Sequence, residues 1–145
     1  MFLPSIENQD SLVFIEEIFS GKLTLTQRAT MKILVVDDNY QDIAPLLNVY
    51  FKGDEVTYVA TPHVASIKLS DNRYDLMILD GELSSCEGPE ALQAWQSMGL
   101  ELPPVVMFSA SEKMRKKGLE VGAVFAISKE DCTAEDFAEA RRRAK

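Results

Sequence analysis

Histidine and cysteine are almost missing from this 145-residue chain, which has one histidine, His63, and two cysteines, Cys86 and Cys132. The cysteines form no CxxC pair, and a single histidine cannot complete a Cys/His zinc site. A Ser–His–Asp triad would have to use His63, which no nucleophile motif accompanies. Neither G-x-G-x-x-G nor G-x-x-x-x-G-K-[ST] occurs, which excludes the usual dinucleotide and nucleotide-hydrolase loops. No apolar run approaches the span of a bilayer. The N-terminus lacks the basic start and small-residue cleavage site of a signal peptide. A cytoplasmic protein with reduced thiols and no membrane insertion is expected.

Basic charge is also in short supply. The formal net charge is −8, with 23 acidic against 15 basic residues. Nucleic acid is a polyanion held mainly through Lys and Arg, so no direct nucleic-acid binding is expected. The local basic runs, Lys113–Arg115–Lys116–Lys117 and Arg141–Arg142–Arg143, lie in helix-like sequence and read as solvated helix faces. What is abundant is ordinary core material: 46% of residues are hydrophobic and 26% charged. That is the composition of one globular domain, large enough to fold without a metal or disulfide.

Four short runs, Ile33–Val36, Leu76–Leu79, Val105–Phe108 and Ala123–Ile127, are apolar throughout instead of alternating. That marks strands covered on both faces, as in a parallel sheet. A fifth, Val56–Ala60, is more mixed and suits an edge. Between them lie segments with helical spacing: Ile43, Leu46, Leu47 and Tyr50; Val64, Ile67 and Leu69; Ala91, Leu92 and Trp95; Met114 and Leu119; Phe137, Ala138 and Ala140. Strand and helix alternate five times, which predicts an α/β fold, a doubly wound five-stranded parallel sheet with right-handed crossovers. This unit is expected over 31–145.

Residues 1–30 stand outside the alternation. Ser11 is a plausible N-cap for a helix through Ser20, with Gly21 as its stop. Leu12, Ile15, Ile18 and Phe19 would then share a face. The extension is expected to be helical, either packed on its own domain or offering an apolar surface to a partner or to a second copy of the chain.

In an open α/β sheet, ligands bind beyond the carboxyl ends of the strands. The first run ends in Asp37–Asp38, the third strand in Asp80, the fourth in Ser109–Ala110 and the fifth in Ser128–Lys129. Three carboxylates, a hydroxyl and an ammonium therefore converge on one edge. Carboxylates gathered in this way repel unless a cation is bound. Hard oxygen ligands with room for water suit Mg²⁺. A divalent metal beside a carboxylate, a hydroxyl and a lysine suits phosphoryl transfer to that carboxylate.

The segments KILVVDD (32–38), LMILD (76–80) with Gly88 after its loop, VVMFSA (105–110) and GAVFAISK (122–129) resemble the receiver domain of bacterial two-component response regulators. The resemblance covers Lys32 to about the C-terminus. It implies the flavodoxin-like sheet order 2-1-3-4-5, with Asp80 as phosphoacceptor. It further implies that Asp37, Asp38, Asp80 and the backbone carbonyl of Glu82 hold Mg²⁺, that Ser109 is the switch hydroxyl and that Lys129 pairs with the phosphoryl group. Glu82 and Ser111 flank the site at positions suited to tuning how long the phosphoryl group lasts. The donor would be a sensor histidine kinase or a histidine phosphotransfer protein, and the chain would catalyse only its own phosphorylation and dephosphorylation.

The chain departs from the family pattern at several places. Ala126 stands where an aromatic residue is usual, with Phe125 one residue earlier. Glu130 replaces the proline that commonly follows the lysine, Ser84 stands where proline is common, and the segment from Ser109 to Lys129 is slightly short. These positions belong to the surface that passes the signal on, not to the chemistry. The chain ends where a receiver ends, so a stand-alone receiver acting on an unknown output protein through protein contacts is expected. The competing reading is a receiver-like interaction module that works without phosphorylation. A flavodoxin would need a phosphate-cradling loop where Asp37–Asp38–Asn39–Tyr40 stands, and an aspartyl phosphatase would show D-x-D in place of adjacent aspartates.

Overall fold

A computed structural model describes residues 30–145, together with the backbone of two segments ahead of them, Leu12–Glu17 and Lys22–Gln27. Those two segments are strands β1 and β2, paired antiparallel with Glu17 opposite Lys22. The expected helix over residues 11–20 is therefore replaced by a ribbon. The reason is legible afterwards: Leu23 and Leu25 alternate with Thr24 and Thr26, a period of two, and Leu12–Ile15 is a run of strand-favouring types that fits either periodicity. The proposed cap Ser11, the face residues Ile18 and Phe19, Ser20 and the stop Gly21 lie outside the described residues.

The rest of the fold is the expected alternation. Strand β3 (Lys32–Val36) is followed by α1 (Tyr40–Tyr50), β4 (Glu55–Val59), α2 (Pro62–Asp71), β5 (Leu76–Asp80), α3 (Gly88–Ser97), β6 (Val105–Ser109), α4 (Glu112–Glu120), β7 (Phe125–Ser128) and α5 (Ala134–Arg143). The five strands β3 to β7 form one parallel sheet in the order β4-β3-β5-β6-β7, which is 2-1-3-4-5 counted within the sheet. The mixed strand β4 is indeed at an edge.

The two-residue period of a strand splits each apolar run between two cores. Leu34, Val36, Met77, Leu79, Val105 and Met107 pack under α2 and α3 with Ala65, Leu69, Leu92 and Trp95. Their neighbours Ile33, Val35, Leu76, Ile78, Val106 and Phe108 pack under α1 and α5 with Leu47, Phe51 and Phe137. Three helix starts carry side-chain caps. Thr61 accepts from Val64 N–H, Ser111 from Met114 N–H and Thr133 from Asp136 N–H, the last within a capping box. Among the described residues no helix is long and apolar enough to cross a membrane.

Phe137 on α5 joins the second core to the strand that ends in Ser109. Its ring stacks on Tyr50 at 4.5 Å and meets Phe51 and Phe108 edge-on, each at 5.9 Å. Phe137→Ala should cost about 3–5 kcal/mol in urea unfolding, whereas Phe137→Leu should cost under about 2 kcal/mol. Equal losses would show that the ring contacts, not the volume, hold α5 in place.

Candidate functional site

Strands β3, β5, β6 and β7 each contribute a site residue at the point where they stop. Asp37 directly follows β3. Its N–H donates to Val59 O at 3.0 Å, which continues the strand ladder, and its Oδ1 accepts from Asn39 N–H at 2.8 Å, which turns the chain into α1. Asp38 is half-buried, and its carboxylate accepts the Ser84 hydroxyl from the loop after β5. Asp80 is the last residue of β5, Ser109 the last of β6, and Lys129 directly follows β7.

The structure brings Asp37, Asp38 and Asp80 together, with one carboxylate oxygen of each within 4.8 Å of the others. Asp37 and Asp80 are buried. The Lys129 ammonium donates to Asp37 Oδ2 at 2.7 Å and to Asp80 Oδ1 at 3.1 Å. Glu82 contributes its N–H, which donates to Asp80 Oδ1 at 3.3 Å, while its side chain is exposed. Ser109 is buried at the same edge, but its hydroxyl bonds neither Asp80 nor Lys129; its Oγ accepts from Ser111 N–H at 3.0 Å.

Two glycines let the backbones meet. A Cβ on Gly81 would lie 2.6 Å from Ser109 Oγ, and one on Gly88 would lie 2.1 Å from the Asp80 carbonyl oxygen. The residue after Asp80 must therefore be small for Ser109 to sit beside it. The start of α3 must likewise be small to close the Asp80 loop, where Gly88 N–H donates to Gly81 O at 2.7 Å.

Burial raises the Asp80 pKa above the ordinary carboxylate value, and the neighbouring charge of Asp37 adds to it. Lys129 and the Glu82 N–H pull the other way without cancelling the shift. For Lys129, burial alone would lower the pKa. The hydrogen bond to Asp37 and the charges of Asp80 and Asp37 outweigh it, so the ammonium is held more firmly than in water. Three carboxylates thus face one ammonium, a donor set of hard oxygens with surplus negative charge, which fits a hard divalent cation.

Sequence reasoning missed two contacts around this site. Arg115, read as part of a solvated basic face, donates through Nη1 to the Ser109 carbonyl at 2.8 Å. Lys117 from the same run pairs with Glu87, the residue before α3, at 2.8 Å. The only available signal was position: Arg115 falls one helical turn after the cap residue Ser111, on the side that faces back to the strand end.

The raised Asp80 pKa has a consequence for stability. A carboxyl whose folded pKa exceeds its unfolded value stabilises the fold while protonated, and that contribution is lost as pH rises from about 3.8 through the folded pKa. Without divalent cation at neutral pH, Asp80→Asn should therefore melt above wild type, and the gap should shrink as pH falls toward 3.8. Mg²⁺ at roughly ten times its dissociation constant should stabilise wild type by about 1.4 kcal/mol and the variant by less. Equal stabilisation of both proteins would remove Asp80 from the cation site.

With the geometry described, the chain can be set beside known proteins. The model of the response regulator receiver domain family matches residues 33–140, well over half of the chain. No curated protein matches it. Among solved structures, a CheY-like receiver domain protein from Methanospirillum hungatei is 25% identical, covering 79% of this chain and 92% of that one at a TM-score of 0.63. The chemotaxis protein CheY4 of Vibrio cholerae is 24% identical, covering 81% of this chain and 100% of its own at 0.66. The receiver domain of the Francisella response regulator 1452 is 22% identical, with coverages of 78% and 95% at 0.66. The last two likenesses speak for the fold, and the family match speaks for descent: this chain belongs to the receiver domains of two-component response regulators.

Proposed function

We propose that the chain is a phosphoacceptor whose acceptor atom is a carboxylate oxygen of Asp80. The donor is a phosphohistidine on a sensor histidine kinase or a phosphotransfer protein. The observation that carries the reading is the Lys129 ammonium held between Asp37 and Asp80 at the ends of three different strands.

In the proposed step an Asp80 oxygen attacks phosphorus in line with the leaving imidazole. The P–N bond breaks, its electron pair stays on the imidazole nitrogen, and an acyl phosphate forms. Asp37, Asp38, Asp80 and the backbone carbonyl of Glu82 would hold Mg²⁺, which when bound neutralises charge on the phosphoryl oxygens. Lys129 would offset the remaining charge. The Ser109 hydroxyl leaves its local bond and donates to a phosphoryl oxygen. Hydrolysis reverses the charge state: water attacks phosphorus and the Asp80 carboxylate departs. The unit that performs this is residues 31–145, in the cytoplasm where such donors reside, and output passes to a protein partner through a surface contact.

Intact-protein mass spectrometry with acetyl phosphate and Mg²⁺ tests the reading. Wild type should gain one phosphoryl group, and neither Asp80→Asn nor wild type in EDTA should gain any. If acetyl phosphate and a phosphohistidine donor both leave wild type unmodified, the chain is instead an interaction module that works without phosphorylation.

A further inference from the structure

The Oγ and carbonyl oxygen of Ser109 make two contacts toward α4 and one back to Lys129. Its Oγ accepts from Ser111 N–H at 3.0 Å, and Ser111 Oγ in turn accepts from Met114 N–H at 3.1 Å to cap α4. Its carbonyl oxygen accepts from Arg115 Nη1 at 2.8 Å and from Lys129 N–H at 3.2 Å. Both ends of Ser109 are thus tied to the first turn of α4. Toward β7 the connection is thinner. Ser128 lies opposite Ser109 in register, yet its Oγ is taken by the N–H groups of Glu130 and Asp131. Ala126, the residue two places before it, has no side chain long enough to follow a moving hydroxyl.

Arg115 is also poorly placed for helix stability. A cation in the first turn opposes the helix dipole, where an acid would be favoured. Its guanidinium instead makes a charge-assisted bond to the end of β6. A second tether joins the same helix to the Asp80 loop. Lys117 pairs with Glu87, and Glu87 bridges back to Glu82, two residues after Asp80.

We infer that Arg115 is a positioning residue that couples the phosphoryl state of Asp80 to the N-terminal turn of α4 through the Ser109 carbonyl. The inference rests on Asp80 being the phosphoacceptor. When the Ser109 hydroxyl turns to a phosphoryl oxygen, the carbonyl and Oγ of the same residue shift. Arg115 and Ser111 carry that shift into the helix.

The test is amide hydrogen exchange of residues 110–120 in the full chain, with and without beryllofluoride in Mg²⁺, for wild type, Arg115→Met and Arg115→Lys. Asp80 adduct formation from acetyl phosphate and the melting temperature are measured on the same proteins. Wild type should change its exchange in the first turn of α4 by about fivefold or more. In Arg115→Met the change should fall below about twofold while adduct formation and melting stay near wild type. Arg115→Lys, which keeps one charged donor, should recover part of the response. A full response in Arg115→Met overturns the coupling and leaves the acceptor reading intact. A wild type that takes up no phosphoryl group from either donor class overturns both. If Arg115→Met melts well below wild type, Arg115→Lys decides alone: a response no smaller than wild type in a variant with poorer carbonyl geometry overturns the role.

Discussion

The ammonium of Lys129 lies between two carboxylates that the sheet forces together, and the site's arrangement follows from that contact. Asp37 and Asp80 end adjacent strands, so parallel pairing of β3 and β5 fixes their separation whatever their charges. Both are buried, where like charges repel more strongly than in water. Lys129 relieves this from 92 residues away in sequence, and only the full winding of the sheet delivers it. Removing Lys129 would leave two buried carboxylates with no counter-charge. Burial first, and the Asp37 charge second, keep the Asp80 pKa raised despite Lys129. The surplus of negative charge over the single ammonium is of the sign that a divalent cation would offset.

A parallel sheet makes such a site cheaply. Each strand ends at the same edge, and each crossover returns the chain to the far edge, so residues that simply follow apolar runs become neighbours. The supporting contacts are local. Asn39 N–H on Asp37, Glu82 N–H on Asp80 and the small residues Gly81 and Gly88 each act within a few residues of the strand end they serve. Distant anchoring comes from the opposite end of the molecule. There the buried Asp54 carboxylate accepts from Arg141 of α5 and from Met31 N–H at the start of β3.

This division explains what the sequence made legible. Doubly buried strands show as unbroken runs such as Val105–Phe108, and the site residues stand at the break of a run or one place after it. That Asp37, Asp38, Asp80, Ser109 and Lys129 gather at one edge was therefore readable from position, while their separate roles came only from the family resemblance. The N-terminal ribbon was not, because Leu12–Ile15 is apolar at every position and satisfies a helical spacing as well as a strand. Only the Leu–Thr alternation in the second strand separates the two. Arg115 and Lys117 were hidden for a different reason. A basic run on a short helix carries no mark of which side chain reaches back to a backbone carbonyl or across to another helix. Glu87 and Asp54 are equally silent, since their partners are set by the tertiary fold.

The two faces of the sheet are unequally able to absorb a change at the strand ends. Under α1 and α5, Phe108 is held edge-on by Phe137, which is itself stacked on Tyr50, and the Lys129 ammonium lies 5.7 Å over the Phe108 ring. Rings with fixed geometry resist displacement. Under α4 the material is softer. Met107 fills the space left by Gly118, where a Cβ would stand 2.1 Å from Met107 Cγ, and Met114 packs against Gly81 beside Asp80. Unbranched thioether side chains repack at little cost. A shift at Asp80 or Ser109 thus meets a rigid aromatic wall on one side and an adaptable methionine-lined seam on the other.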